Sequence, residues 1–169
     1  CQGVAAVLDE HPDTAAVVPV HANPVVRQTV EAVLGGNKRV LLLPPVPYLE
    51  FVGLMHRAEL VLTDSGGVQE EAPSFGVPVL VLRQVTERPE AVSCGQARLV
   101  GTDPETIARA AREILSGSET TRAMRRAGNP FGDGRAAGRI VLASKRFLRD
   151  ERPLLGPSES FVGTCPGED

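Results

Sequence analysis

The sequence predicts an α/β fold: a parallel sheet covered by helices on both faces. Three observations carry the prediction. Short apolar runs alternate with helix-period segments from residue 15 to residue 115. The runs are near-continuous in Val, Leu and Ala, as in strands buried on both faces. The segments between them are roughly ten residues long, the length of a crossover helix.

Each element follows from a local signal. The chain opens in a helix with Val4, Val7 and Leu8 on one side, ended at His11-Pro12-Asp13. That helix has no visible N-cap and the first residue is Cys1, so the chain reads as the C-terminal part of a longer, truncated protein. Residues 15–20 (AAVVPV) form a strand, and residues 24–34 a helix capped by Asn23 and closed by Gly35-Gly36. Residues 39–43 (RVLLL) are a buried strand stopped by Pro44-Pro45, and residues 48–57 a helix. Strand 60–63 precedes helix 67–75, which ends at Gly76; strand 77–82 (VPVLVL) follows, and a last strand is expected at 99–101. Helices are expected at 106–115, 119–127 and 133–148. Residues 1–149 then make one domain, and residues 150–169, rich in proline and acid and without period, a mostly disordered tail. The crossovers should be right-handed, and ligands should bind outside the carboxyl ends of the strands.

Composition narrows the function. A chain of 169 residues supports one core without staples. A net charge of −3 and aromatic content of 4%, with no tryptophan, argue against a nucleic-acid partner. No apolar run reaches the length of a membrane span, so no membrane partner is expected. Cys1, Cys94 and Cys165 are odd in number and far apart, giving neither a disulfide framework nor a zinc spacing. No metal and no cofactor are expected, and a cytoplasmic, reducing compartment fits. All basic residues except Lys38 and Lys145 are arginine, which suits fork-shaped anion recognition and equally reflects base composition.

Four segments stand at strand carboxyl ends. The first is Thr63-Asp64-Ser65-Gly66-Gly67-Val68-Gln69-Glu70-Glu71-Ala72. Two glycines let a ligand approach the backbone, and the first amides of the following helix are free donors. Ser65 either bonds a phosphate oxygen or caps the helix. Glu71 is placed to accept from two ribose hydroxyls, or only complements the helix dipole. The second segment, residues 83–90, lies beside the first in a parallel sheet. There Arg88 offers a planar fork to the same phosphates, or pairs with neighbouring glutamates. The third, Pro19-Val20-His21-Ala22-Asn23-Pro24, turns His21 toward the cleft. In the fourth, residues 45–51, the backbone faces a base edge and Phe51 packs on the base or in the core. A glycine pattern at residues 132–138 lacks the preceding strand that a dinucleotide site needs and is set aside. His56 reads as structural.

Residues 62–92, LTDSGGVQEEAPSFGVPVLVLRQVTERPEAV, resemble the signature of the non-hydrolysing UDP-N-acetylglucosamine 2-epimerases. PVHANP, PPVPYLEF and NPFGDGRAAGRI agree in the same order, over about residues 1–149. The resemblance implies the C-terminal, Rossmann-like, UDP-binding half of a GT-B arrangement, in which two such domains face each other across a cleft. It implies interconversion of UDP-GlcNAc and UDP-ManNAc by elimination of UDP to a 2-acetamidoglucal and its re-addition, for polysaccharide biosynthesis. On that footing Ser65, Gly66 and Gly67 hold the diphosphate, Arg88 the phosphates and Glu71 the ribose. Phe51 and the backbone near Val46 contact uracil, and His21 stands near the substrate and an allosteric second UDP-GlcNAc. Val46 replaces a residue that is often glutamine. The family's acid/base carboxylates, and a Gly-His-Arg stretch on the strand before the opening helix, have no counterpart in these residues, so the catalytic residues are unknown here. The chain is therefore expected to be a fragment, inactive alone, with a homodimer partner or a separate N-terminal half as its protein partners. Other readings of the same residues are half of a GT-B glycosyltransferase, a hydrolysing relative, and a non-catalytic nucleotide-sugar-binding remnant.

Overall fold

Helix α1 (Gln2–Glu10) leads into strand β1 (Ala16–Pro19), helix α2 (Pro24–Leu34), strand β2 (Val40–Leu43) and helix α3 (Tyr48–Arg57). Strand β3 (Val61–Thr63) is followed by helix α4 (Gly66–Glu71), a 3-10 turn over Ala72–Phe75 and strand β4 (Val79–Val81). Helix α5 (Pro89–Ser93), strand β5 (Ala97–Leu99), and helices α6 (Pro104–Leu115), α7 (Glu119–Arg126) and α8 (Ala136–Leu148) complete the order. This is a computed structural model, and it describes residues 1–163 and 165.

All strand pairs are parallel. In one ladder Ala16 faces Val40; in the other Val61 faces Val79 and Val79 faces Ala97. The expected sheet is therefore present as two ladders, β1–β2 and β3–β4–β5, with no pairing between β1 and β3 among the described residues. A doubly wound sheet of order 3-2-1-4-5-6 contains these two groups as its strands 3-2 and 4-5-6.

Helix α1 spans the break. Its Val7 and Ala6 join the core around Leu80, Val100, Ile107 and Ile114, while Val4 and Ala5 pack on the core of Val20, Val30 and Leu34. Contact with α6 is intimate: a Cβ on Gly3 would stand 2.8 Å from Ile107 Cγ2, closer than carbon atoms approach. A third core, around Met55, Ala72, Val79, Val81, Ala91 and Ala97, lies under α3 and the 3-10 turn. Helices thus cover both faces of β4, an α/β Rossmann-like arrangement.

The caps follow the residue types. Asn23 Oδ1 accepts the Val25 N–H (2.9 Å) ahead of Pro24, and Asp103 accepts the Thr106 N–H (2.8 Å). Where element boundaries depart from expectation, the cause is local. The helix expected over 67–75 tightens to a 3-10 turn at Ala72, because Pro73 brings no N–H to continue the α ladder. Strand β5 starts two residues early, pairing Ala97 with Val79, and is stopped by Gly101 at φ +66°. Helix α5, five residues opened by Pro89, was not expected. Helix α8 begins at Ala136 rather than 133, because the Asp133 carboxylate accepts the Arg135 N–H in a local turn (3.1 Å).

Cys94 and Cys165 lie side by side, with Cα atoms 4.7 Å apart, a pairing that cysteine spacing does not suggest. Their 71-residue separation gives spacing no purchase; the fold brings residue 165 back to the end of α5. Residues 150–163 of the expected tail hold no helix or strand but carry specific contacts. Arg146 pairs with Glu159, Arg139 Nε donates to the Glu159 carbonyl (2.7 Å), and the Arg139 guanidinium stands 5.9 Å from the centre of the Phe161 ring. The rest of that tail, residues 164 and 166–169, lies outside the described residues. No helix among the described residues is long and apolar enough to cross a membrane.

Candidate functional site

Strands β3 and β4 are parallel neighbours, so the loops at their carboxyl ends lie side by side. The first loop turns immediately. Thr63 is buried, and its hydroxyl accepts the Ser65 N–H (3.0 Å), directing the chain into α4. Ser65 stands at the N-cap position, yet its side chain makes no capping hydrogen bond. The hydroxyl is thus not spent on the helix and remains available to a ligand.

The second loop carries Arg88. Its guanidinium carbon lies 3.7 Å from where a Cβ of Gly66 would be, directly over the glycine loop. The side chain is held by ion pairs with Glu70, through Nε, and with Glu87, at 3.8 Å. The Glu70 hydrogen bond, with that carboxylate's charge, pushes the guanidinium still further above its ordinary range. Arg88 is therefore fully cationic at the rim, with its charge shared by carboxylates.

Glu71 closes α4 and is half-buried. Its charge holds the Tyr48 hydroxyl above the usual phenol range. Tyr48 opens α3, and Phe51, one turn further along, packs against the Met55 and Ala72 core. The structure thus brings Arg88 over the Ser65–Gly67 loop, with Glu71 at the far end of the same helix; Phe51 packs in the apolar core, the other reading of that residue, and half-buried Val46 stands just ahead of α3.

His21 stands apart. It follows β1 in the other ladder, is exposed, and its Nδ1 accepts the Asn23 N–H (3.1 Å). Among the described residues no hydrogen bond ties it to α3, α4 or the Arg88 loop. His56 stacks on Phe75 with ring centres 5.4 Å apart, the structural part expected of it.

Three residues of the rim have no role in the sequence reading. They are Tyr48, Gln69 and Thr86. Gln69 is buried, with Nε2 donating to the Ser65 carbonyl (3.2 Å) and Oε1 accepting from the Thr86 hydroxyl (2.5 Å). A glutamine on the inward side of so short a helix is a usable signal, because burial obliges it to find partners. A cavity of about 440 Å³ lies at the other end of the strands, lined by His11, Thr14, Glu59, Arg122 and Arg125. Its arginines are neutralised by Glu119 and Glu59. Among the described residues no group of three or more His, Cys, Asp or Glu side chains is arranged to hold a metal ion.

Comparison with known proteins bears on the same residues. A family model described as UDP-N-acetylglucosamine 2-epimerase matches residues 1–145. The chain belongs to that family. It is 52% identical over 145 residues to the UDP-N-acetylglucosamine 2-epimerase of Escherichia coli K12, covering 86% of this chain and 39% of that protein. Identity to the Bacillus subtilis enzyme of the same name is 45% over 159 residues, 93% of this chain and 40% of that protein. Among solved structures of the family, the Staphylococcus aureus MnaA–UDP co-structure superposes with a TM-score of 0.85 at 42% identity. That match covers 90% of this chain and 42% of the other. UDP-GlcNAc 2-epimerase from Neisseria meningitidis bound to UDP-GlcNAc gives 0.81 at 39% identity, covering 87% and 39%. This epimerase-family chain spans about two fifths of the length of the relatives it matches.

Proposed function

We propose that the chain is the nucleotide-holding, C-terminal half of a non-hydrolysing UDP-N-acetylglucosamine 2-epimerase. One observation carries the reading: Arg88 is poised over Gly66, beside a Ser65 hydroxyl that caps nothing. Two independent loops thereby aim a cation and neutral donors at one point, as a diphosphate requires. The solved relatives with UDP and with UDP-GlcNAc support the same ligand here.

In this reading Ser65 and the amides of Gly66 and Gly67 take oxygens of the diphosphate, and Arg88 takes the charge that Glu70 shares with it in the free protein. Glu71 accepts from the ribose hydroxyls. Phe51 and the backbone at Val46 border the base, and His21 waits across the cleft for the sugar end. The chemistry explains why such a half is needed. A proton on C2 beside an acetamide nitrogen is weakly acidic, so breaking the C1–O bond depends on stabilising the departing UDP. A fixed cation and oriented N–H groups lower that barrier without reorganising during the reaction. The carboxylates that remove and return the C2 proton belong to an N-terminal half, and a homodimer and cytoplasmic operation go with the assignment.

Titration calorimetry with UDP tests the binding part, and an assay for UDP-ManNAc tests the rest. The chain is expected to bind UDP and to form no UDP-ManNAc alone. Absence of heat with UDP sinks the site, and turnover by the chain alone sinks the division of labour.

A further inference from the structure

We propose that Gln69 is a positioning residue that couples the two loops of the anion rim, fixing Ser65 and Arg88 in one geometry. The proposal rests on the diphosphate reading above and concerns how that site is held together.

Gln69 sits on a surface helix yet is only 1% exposed. A primary amide buried this deeply must satisfy both its ends or destabilise the fold. Each end is satisfied by a different loop. Nε2 donates to the Ser65 carbonyl (3.2 Å), and Oε1 accepts the Thr86 hydroxyl proton (2.5 Å). The Thr86 oxygen in turn accepts the Arg88 N–H (3.0 Å).

The direction of this chain is fixed by its ends. The Arg88 N–H only donates, so the Thr86 oxygen must accept there and send its own proton on to Gln69. The Ser65 carbonyl only accepts, so Gln69 must present its NH2 group. A turned amide would set oxygen against oxygen at Ser65 and leave the Thr86 proton without its acceptor. One orientation gives every member a partner, and a buried network with a single workable arrangement rigidifies what it joins. Ser65 is clamped from its other side too, because its N–H is held by the Thr63 hydroxyl (3.0 Å). Neither Gln69 nor Thr86 has to touch a ligand; together they set the distance between the Ser65 hydroxyl and the Arg88 fork. Glu70, the next residue on α4, holds the Arg88 side chain while Thr86 holds its backbone.

The test uses this chain with Thr86→Val, Thr86→Ser and Gln69→Leu. UDP and uridine are titrated by calorimetry, and the Ser65–Gly67 amides are followed by NMR. Thr86→Val is expected to weaken UDP binding about ten-fold, the scale of one lost buried hydrogen bond, while changing uridine binding by less than about two-fold. It should also shift the Ser65 and Gly66 amide resonances, although Thr86 touches neither. Thr86→Ser should restore both, and Gln69→Leu, if folded, should reproduce the Thr86→Val pattern. Equal losses for UDP and uridine, or unmoved Ser65–Gly67 resonances in Thr86→Val, would overturn the coupling. An unmutated chain that takes up no UDP refutes the diphosphate reading instead, and the resonance shifts still decide the coupling.

Discussion

The two ladders are built from equally apolar strands but are covered very differently. In the β3–β4–β5 ladder, Val79, Leu80 and Val81 are 0% exposed, because α6 packs on one face and the Met55–Ala72 core on the other. In the β1–β2 ladder, Val17 is 44% and Leu41 55% exposed, with one face covered by α1 and α2 and the other open. Every residue of the Ser65–Arg88 rim projects from the well-covered ladder or from the helices packed on it. His21 projects from the other. The difference teaches that loops carrying precise polar geometry stand where the strand beneath cannot shift, since a side chain on a rigid element keeps its aim.

The largest expected effect breaks the comparison directly. Leu80→Ala empties a closed site and should destabilise the chain by about 2–5 kcal/mol. Leu41→Ala, on the open face, should change stability by less than about 0.5 kcal/mol. Chemical denaturation of the two variants measures both. A Leu41 variant as unstable as the Leu80 variant would mean that the open face is covered in solution. Hydrogen exchange sharpens the same point: β4 amides should open only with global unfolding, and β1 amides well before.

Next in size is the ligand. Arg88→Ala removes a charge-assisted partner and should weaken UDP binding by about ten- to a hundred-fold. His21→Ala should weaken it by no more than about two-fold, because the histidine's partner lies within its own loop and an exposed contact contributes little. Calorimetry separates the two. Equal losses would place His21 on the rim and erase the functional difference between the ladders.

How far the sequence revealed this arrangement depended on whether the signal was local. Asn23-Pro24 announced α2 because cap and first turn are adjacent residues. The run of Val and Leu at 77–82 announced a strand buried on both faces, and β4 is that strand. The Ser-Gly-Gly loop and Arg88 were legible because each ends a recognisable strand, and parallel pairing makes neighbours of strand ends. What failed was information held between segments. The Gln69–Thr86 bond crosses two loops, and although Gln69 stands on the inward side of its helix, nothing near it in sequence names its partner. The Cys94–Cys165 pair spans 71 residues and has no spacing rule to betray it. The break between β1 and β3 left no mark in the apolar runs themselves, because buried strands show the same run whether they have one neighbour or two. Helix α5 was missed because five residues are too few to display a period.

The smallest effect tests whether the contrast extends past the ladders, to α8, which buries none of its side chains. This helix is tied to residues 150–163 by polar contacts, chiefly Arg146 with Glu159. The Arg146 hydrogen bond, with the Gly156 N–H, lowers the Glu159 carboxyl from 4.5 to about 2. Because the folded value lies below the unfolded one, the contact contributes fully above about pH 4.5 and is lost as pH falls through about 2. Amides of residues 156–160 should therefore lose protection over that window, before any in β4. Glu159→Gln should remove the pH dependence while leaving the tail loosely held at every pH. NMR of the two proteins between pH 5 and about 2 checks this. If the tail and β4 instead let go together, α8 shares the cooperativity of the covered ladder, and burial alone does not rank the regions of this molecule.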